Sequence, residues 1–323
     1  MLAAYYETSG SSEVLRVGEI DVPEPGAGEV RVRIAVSGVN PTDWKAVRRG
    51  RGLTNGFLIP NQDGAGVIEA VGEGVDLARV GQRVWVLFAA WQRRWGTAAQ
   101  YSVVPSDHAA ALPDNAPYEL GASLGIPALT AWHCLCADGP IEGKTVLVAG
   151  GAGAVGHAAI ELARYEGARV IATVSSAEKA RLAEEAGASA VVNYRDADAN
   201  QQIKALAPEG IDRFVEVSLA RNLELDLESA APHAVISAYA DDGGAQANVP
   251  ILRMAFANAV LRFVLIYTVT PEQLRTAIDG VNAAVTAGAL TTLPLHRFPL
   301  ERIREAHDAV EASAVGKVLV DLD

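Results

Sequence analysis

The chain has 323 residues, of which half are hydrophobic and a fifth are charged. This balance excludes a disordered or fibrous protein, and the length predicts two folded domains. Asp and Glu outnumber Lys and Arg by 39 to 27, so the formal net charge is −12; such a chain on average repels phosphate-rich polymers, and we do not expect nucleic acid as a partner.

The lack of a signal-peptide pattern and the low cysteine content both favour a cytoplasmic location. The N-terminal segment lacks a basic region followed by an apolar run, so no signal peptide is expected. The most apolar stretches, residues 84–91 and 259–269, are too short for a membrane span, and Arg262 interrupts the second. Two cysteines, Cys134 and Cys136, are too few for a disulfide scaffold or a four-thiolate zinc lobe.

The first third of the chain has the pattern of short strands separated by turns. Residues 30–36 follow a breaker-rich segment and alternate apolar with polar side chains, so Arg31 and Arg33 face away from the aliphatic residues. Further strands are expected at 65–71, 82–88 and 97–104. Short strands of this kind predict a compact β-barrel or sandwich.

After residue 117 helical and strand patterns alternate, which predicts a parallel sheet with crossover helices. Residues 259–267 are apolar enough to form either a sheet edge or a buried strand. Strands are expected at 146–149, 170–174, 190–192, 214–217, 234–238 and 317–322, and helices at 155–165, 177–186, 272–287 and 300–312.

A glycine pattern lies between the first of these strands and the first helix. Gly151, Gly153 and Gly156 match the dinucleotide-binding spacing, with Ala154 and Val155 between the last two. The first glycine permits a sharp turn, the second lets backbone N–H groups approach a pyrophosphate, and the third lets helix and strand pack closely. A tight turn in a glycine-rich chain is the alternative, but the flanking strand and helix favour nucleotide binding.

The end of the next strand indicates which nicotinamide cofactor binds. NAD sites carry an acidic residue there for the ribose hydroxyl, but this strand ends with Ser175 and Ser176, followed by Lys179. Two hydroxyls and an ammonium suit a 2′-phosphate, so we predict NADP(H). The alternatives are a helix cap for Ser176 and an ordinary surface position for Lys179.

Seven segments in chain order carry a resemblance to a known family; they are residues 28–43, 62–72, 129–131, 146–156, 170–179, 192–194 and 316–319. They resemble the zinc-free quinone oxidoreductase branch, which includes zeta-crystallin, of the medium-chain dehydrogenase/reductase superfamily. The resemblance implies an α/β fold in which a GroES-like β-barrel catalytic domain, residues 1–121 completed by 268–323, flanks a Rossmann doubly wound parallel sheet at 122–267. It also implies a homodimer that joins edge strands of the Rossmann domain.

The resemblance also implies roles for individual residues. Ser175, Lys179 and Tyr194 would surround the 2′-phosphate, and Tyr239 would line the cofactor cleft. The catalytic zinc ligands of related enzymes correspond here to Asn40 and to the segment 61–63, whose amides are poor zinc ligands. Cys134 and Cys136 cannot substitute, since residues two apart on a helix do not face each other. No metal site is therefore expected.

The expected reaction is hydride transfer from NADPH to a quinone or an α,β-unsaturated carbonyl. The resemblance puts Asn40 and Thr130 near the nicotinamide, where they would position the reactants; read without it, they are a turn residue and a helix hydroxyl. An NADPH-binding scaffold with little turnover is an alternative. A hydrolase elbow around Ser123 is another, but no strand precedes it, and an interrupted helix fits residues 118–129 better.

Overall fold

The computed structural model describes residues 1–50, 53, 56–242 and 244–322. The strands are β1 (Leu2–Tyr5), β2 (Arg16–Glu19), β3 (Glu29–Val39), β4 (Asp63–Val71), β5 (Arg83–Val86), β6 (Tyr101–Pro105), β7 (Ala109–Ala111), β8 (Thr145–Ala149), β9 (Arg169–Val174), β10 (Ala190–Asn193), β11 (Ile211–Glu216), β12 (Ala230–Ala238), β13 (Val260–Phe263), β14 (Leu295–Pro299) and β15 (Lys317–Asp321).

The α-helices are α1 (Pro41–Arg49), α2 (Tyr118–Gly121), α3 (Gly125–Cys136), α4 (Ala154–Tyr165), α5 (Ala177–Glu185), α6 (Ala199–Leu206), α7 (Leu219–Ser229), α8 (Ile251–Ala257), α9 (Pro271–Thr286) and α10 (Ile303–Glu311). Short 3₁₀ turns cover Ser12–Val14, Leu77–Arg79, Ser106–His108, Ile266–Thr268 and Leu300–Arg302. Among the described residues, no helix combines the length and apolar character needed to cross a bilayer.

The chain forms two compact units. Unit 1 comprises Met1–Ile126 and Thr292–Asp323, and unit 2 comprises Pro127–Thr291. From the sequence, the nucleotide-binding domain was expected to span 122–267. In the structure unit 2 continues to Thr291, because α9 belongs to it. A Cβ atom on Gly280 of α9 would lie 2.2 Å from the indole of Trp132 on α3, so the two helices are in close contact within that unit.

Unit 1 is built on a largely antiparallel sheet in the order β14-β15-β3-β4-β5-β7, with β6 also paired to β3. The expected alternation in β3 is present, since Val30, Val32 and Ile34 are buried in the core. The C-terminal strand β15 pairs with β3, which is how the last residues complete the N-terminal domain. The strand expected at 97–104 begins only at residue 101, and the pairing of β1 with β2 was not predicted.

Unit 2 contains a parallel sheet in the order β10-β9-β8-β11-β12-β13, which confirms the doubly wound fold predicted. From β8 the chain builds outward to β9 and β10, then returns to the other side with β11. Ligands of such sheets bind beyond the carboxyl ends of the strands at this reversal. Of the two possibilities left open for residues 259–267, the structure has an edge strand, β13.

Candidate cofactor and substrate site

The glycine turn follows β8 and is tied to the neighbouring strand. Both Gly150 and Gly151 donate their backbone N–H to the Thr173 carbonyl, at 3.0 Å each. Gly150, and not Gly151 as the sequence suggested, has the left-handed conformation (φ 72°) that makes the turn. A Cβ atom on Gly151 would lie 2.9 Å from the Ala172 side chain, so this glycine allows the turn to pack on β9.

The other two glycines differ in how much space surrounds them. Gly153 precedes α4 in an extended conformation (φ −79°, ψ 162°), and a Cβ atom there would meet only the Gly150 carbonyl, at 3.3 Å. A Cβ atom on Gly156 would lie 2.2 Å from that same oxygen. The N–H groups of Ala154, Val155 and Gly156 begin the helix without intrahelical acceptors, so this turn can receive an anion.

Two of the predicted 2′-phosphate residues, Ser175 and Tyr194, follow neighbouring strands, and Lys179 lies in the first turn of the helix after β9. The carboxyl ends of β9 and β10 pair in parallel, so Ser175 and Tyr194 follow adjacent strands. The Tyr194 backbone N–H donates to the last residue of β9 at 3.0 Å, while its side chain remains 51% exposed. Ser176 caps α5, its hydroxyl accepting the Lys179 backbone N–H at 3.3 Å, so the capping role considered from the sequence is present.

Two further predicted residues lie elsewhere in unit 2. Tyr239 follows β12, and its backbone N–H donates to the Glu216 carbonyl at 3.1 Å. Burial raises the pKa of Tyr239 well above its usual value, so its hydroxyl stays protonated. Thr130 is buried within α3.

Asn40, in unit 1, lies at the centre of a buried polar cluster. Its side-chain Nδ2 donates to Asp63 Oδ2 at 2.7 Å, and its Oδ1 accepts from Lys317 Nζ at 2.8 Å. Its backbone N–H donates to Asp43 Oδ2 at 2.7 Å, as part of a capping box at the start of α1. All four residues are buried. The Asn40 carboxamide is therefore held between a carboxylate and an ammonium.

Asp63 also anchors the start of α3. Both of its carboxylate oxygens lie 3.0 Å from the Ile126 backbone nitrogen, which donates to them. A Cβ atom on Gly125 would lie 2.2 Å from Asp63 Oδ1, so only glycine leaves room for the carboxylate. This carboxylate thus receives hydrogen bonds from a helix N-terminus and from Asn40, an arrangement that favours its charged form.

Burial sets the protonation of this cluster. It raises the pKa of Asp63 to about 6, against the opposing effect of the Lys317 ammonium and the Ile126 N–H. Burial and then the neighbouring Asp63 raise the pKa of Asp43 to about 8. Burial lowers the pKa of Lys317, opposed by both carboxyl groups. At neutral pH Asp63 is therefore ionised beside a protonated Asp43, and Lys317 Nζ, which donates to the Val39 carbonyl and to Asn40 Oδ1, has the surroundings of an ammonium.

A second buried chain of hydrogen bonds reaches the backbone of Asp63. The His307 Nε2 lies 3.0 Å from Asn61 Oδ1, and Asn61 Nδ2 donates to Ser37 Oγ at 3.0 Å. Ser37 and Thr97 hydroxyls are 2.7 Å apart, and Thr97 donates to the Asp63 carbonyl at 2.5 Å. Every hydrogen bond in this chain is satisfied if each group donates to the next, from His307 through Asn61, Ser37 and Thr97 to the Asp63 carbonyl. This direction requires His307 to be protonated on Nε2. Burial lowers the pKa of His307 to about 4, so the ring is neutral.

Comparison with known proteins gives the family. Residues 26–114 match the model of the alcohol dehydrogenase GroES-like domain, and residues 154–283 match that of the zinc-binding dehydrogenases. The quinone oxidoreductase of Lama guanicoe is 30% identical over 321 residues, covering 96% of this chain and 94% of that protein. The chain belongs to the quinone oxidoreductase branch of the medium-chain dehydrogenase/reductase superfamily.

Solved structures agree with this membership. A mycobacterial quinone oxidoreductase superposes with a TM-score of 0.87 at 30% identity, covering 99% of each chain. An Escherichia coli quinone oxidoreductase complexed with NADPH has a TM-score of 0.83 at 25% identity, covering 99% of this chain and all of the other. Membership of the quinone oxidoreductase branch confirms both the expected fold and the expected oxidoreductase class.

Because part of the chain matches the zinc-binding dehydrogenases, we asked whether the residues around Asn40 could bind a zinc ion. The resemblance assigns zinc-ligand positions to Asn40, whose carboxamide is hydrogen bonded to Asp63 and Lys317, and to the segment 61–63, in which Gln62 Oε1 accepts the Ala90 N–H at 3.1 Å. A buried ammonium beside them repels a cation. In the part of the chain that the structure describes, no three His, Cys, Asp or Glu side chains could hold a metal ion. The donor set does not fit zinc.

The remaining sequence features have structural roles. The Ser123 hydroxyl donates to the Glu119 carbonyl at 2.8 Å, one helical turn earlier, between α2 and α3. This confirms an interrupted helix rather than a hydrolase elbow. Burial raises the pKa of the Cys136 thiol to about 12 and that of Cys134 further, so neither is a thiolate at neutral pH.

Sequence reasoning missed the partners of Asn40. Lys317 opens a strand whose next three residues are aliphatic and buried, and a charged residue within such a strand was the available signal, since a buried lysine requires a partner. Asp63 was considered only as the replacement for a zinc ligand. His307, on α10, carried no local signal.

Proposed function

We propose that this NADPH-dependent oxidoreductase transfers hydride to a quinone or an α,β-unsaturated carbonyl without the help of zinc. The observation that carries the proposal is that α4, whose N-terminus has no side-chain cap, follows β8, while Ser175, Ser176 and Lys179 follow the adjacent parallel strand β9. These groups suit the pyrophosphate and the 2′-phosphate, respectively. The reduced nicotinamide, when bound, supplies the hydride.

The residues of unit 2 hold the cofactor. The backbone N–H groups that begin α4 bind the pyrophosphate, and the missing side chain at Gly153 lets it approach them. Lys179, Ser175 and the exposed Tyr194 bind the 2′-phosphate. No carboxylate follows β9 directly to repel that phosphate. Tyr239, which follows another strand of the same sheet, lines the cofactor site.

Lys179→Ala tests this cofactor assignment. Because one charge-assisted contact is lost, the Kd for NADPH should rise about 10- to 100-fold while the Kd for NADH changes little. Lys204→Ala is the matched control, since Lys204 is in the same unit and pairs with Glu228 at 2.8 Å. Titration of each variant with both nucleotides gives the four constants. Equal weakening of NADPH and NADH would contradict the 2′-phosphate site.

Asn40 and Thr130 position the reactants. A carboxamide and a hydroxyl can hydrogen bond to the nicotinamide and to the acceptor oxygen on which negative charge develops. Asn40→Ala should lower kcat about 100-fold, the usual cost of removing one such donor. A panel of quinones and enones, with absorbance of the reduced nicotinamide as the signal, measures this. Tight NADPH binding with no oxidation by any acceptor would instead indicate a scaffold role.

Zinc independence rests on the donor set described above. The Lys317 ammonium occupies the neighbourhood of the positions that would ligate the metal, and amide groups bind zinc poorly. Dialysis against a strong chelator should leave kcat unchanged, and elemental analysis should find far less than one zinc per chain. Loss of activity on chelation, restored by zinc, would contradict the proposal.

We further propose a cytoplasmic homodimer that joins two copies through β13. This strand ends the sheet, so one row of its backbone groups lacks a strand partner. Four large apolar side chains on β13 and the preceding helix α8 are exposed and are called the apolar edge here; they are Phe263, Ile251, Leu252 and Phe256, the last 86% exposed. Exposed apolar side chains in such number are typical of an interface. The low cysteine content supports the cytoplasm.

A further inference from the structure

We propose that Lys317 and Asp63 are positioning residues that hold the Asn40 carboxamide in one of its two orientations. This inference rests on the proposed function, in which Asn40 contacts the reactants. The two groups grip opposite ends of the same planar amide: Lys317 Nζ donates to Oδ1 at 2.8 Å, and Asp63 Oδ2 accepts from Nδ2 at 2.7 Å.

The two neighbouring charges allow only one orientation of the Asn40 carboxamide. A carboxamide turned by half a rotation presents its NH₂ to the ammonium and its oxygen to the carboxylate, and both hydrogen bonds become repulsive contacts. Water cannot compensate easily, because all three side chains are buried, with Lys317 only 3% exposed. The cation and the anion therefore select the orientation jointly, whereas an uncharged neighbourhood would allow both.

The held orientation leaves a defined capacity for binding. Each end of the amide retains one unused position, a second N–H on Nδ2 and a second lone pair on Oδ1. The ammonium on Oδ1 also draws electron density from the amide and strengthens the remaining N–H as a donor. Lys317 thus acts on the reaction through Asn40 and touches neither cofactor nor acceptor.

The backbone around the cluster keeps these partners in register. The Lys317 Nζ also donates to the Val39 carbonyl at 3.3 Å, directly before Asn40. Pairing of β15 with β3 aligns Val318 with Val39, and pairing of β3 with β4 aligns Gly38 with Asp63. Three strands therefore bring the cation, the amide and the anion to one place. A positioning role is consistent with this rigidity.

A double-mutant cycle tests the inference. Lys317→Met is compared in the native and Asn40→Ala backgrounds, with Lys317→Arg as the conservative variant and Lys204→Met as a surface control. If Lys317 acts through Asn40, Lys317→Met lowers kcat about tenfold in the native background and less than about twofold in Asn40→Ala. The Kd for NADPH stays unchanged, Lys317→Arg recovers most of the activity, and Lys204→Met has no effect.

Equal losses from Lys317→Met in both backgrounds would overturn the positioning role. An Asn40→Ala enzyme with full activity would instead refute the function proposed for Asn40, so the two failures are distinguishable. Should Lys317→Met fail to fold, Asp63→Asn serves in the same cycle with the same criteria. The Asn40 side-chain NH₂ signals in ¹⁵N NMR provide a readout besides activity. We expect one set in the native protein and a second set in the variant; a single unchanged set would count against the proposal.

Discussion

Replacing Gly153 and Gly156 separately by alanine distinguishes nucleotide binding from packing in the glycine turn. The two residues lie three apart, Gly153 directly before α4 and Gly156 in its first turn, yet the added methyl group meets different surroundings. At Gly156 its carbon would lie 2.2 Å from the Gly150 carbonyl oxygen, so the turn or the helix must move by roughly 1 Å to restore ordinary contact. At Gly153 the same oxygen would be 3.3 Å away, and no other atom is close.

These distances give the expected magnitudes. Overpacking at Gly156→Ala should cost about 1–3 kcal/mol of the free energy of unfolding. Gly153 has φ −79° and ψ 162°, which alanine adopts freely. Alanine is a poorer N-cap than glycine, which destabilises the folded state, but it also reduces the conformational entropy of the unfolded chain, which stabilises the folded state. Because these effects oppose each other, Gly153→Ala should change the free energy of unfolding by less than about 1 kcal/mol. Its methyl group would nevertheless occupy the space proposed for the pyrophosphate and weaken NADPH binding about 10- to 100-fold.

Urea unfolding and NADPH titration of both variants measure the two effects. The expected pattern is a stable Gly153→Ala protein that binds NADPH weakly, beside a destabilised Gly156→Ala protein. If Gly153→Ala unfolds as readily as Gly156→Ala, the packing argument is wrong. If Gly153→Ala binds NADPH as tightly as the native protein, the pyrophosphate does not lie where we propose.

Three further predictions concern buried groups and the apolar edge. The His307 contribution to stability is lost as the pH falls, because unfolded chains protonate the ring below about pH 6.5 and the folded state only near 4; this contribution is about 3 kcal/mol over that window, and the difference in urea unfolding between native protein and His307→Gln should change with pH by that amount. The Asp43 contribution has the opposite sign: with a folded pKa of about 8 against 3.8, Asp43 binds its proton more tightly when folded, so this contribution is lost as pH rises from about 4 to 8. Thermal unfolding of Asp43→Asn should lack this slope, and an identical slope would refute the assignment. Phe263→Asp, at a side chain 74% exposed, should leave unfolding unchanged but give a monomer in sedimentation equilibrium; a persistent dimer would exclude β13 as the interface.

Patterns that are local in the chain were predictable because backbone geometry has short periods. The alternation of residues 30–36 identified the centre of β3, and the glycine spacing identified the turn between β8 and α4. The strand expected at 97–104 was too long because residues before 101 bond individually to other segments. Thr97, for example, uses its backbone N–H on the Asn61 carbonyl at 3.0 Å, a partner that no local pattern indicates.

The amino-acid sequence by itself determined the two-part fold and the nucleotide-binding turn, since both follow from periodicity and from the conformations open to glycine. Only the tertiary structure decided what surrounds Asn40. Lys317 and Asp63 belong to opposite ends of the chain and meet because β15 and β4 both pair with β3. A buried charge requires a partner, but the identity of that partner depends on strand register, which is a property of the folded molecule.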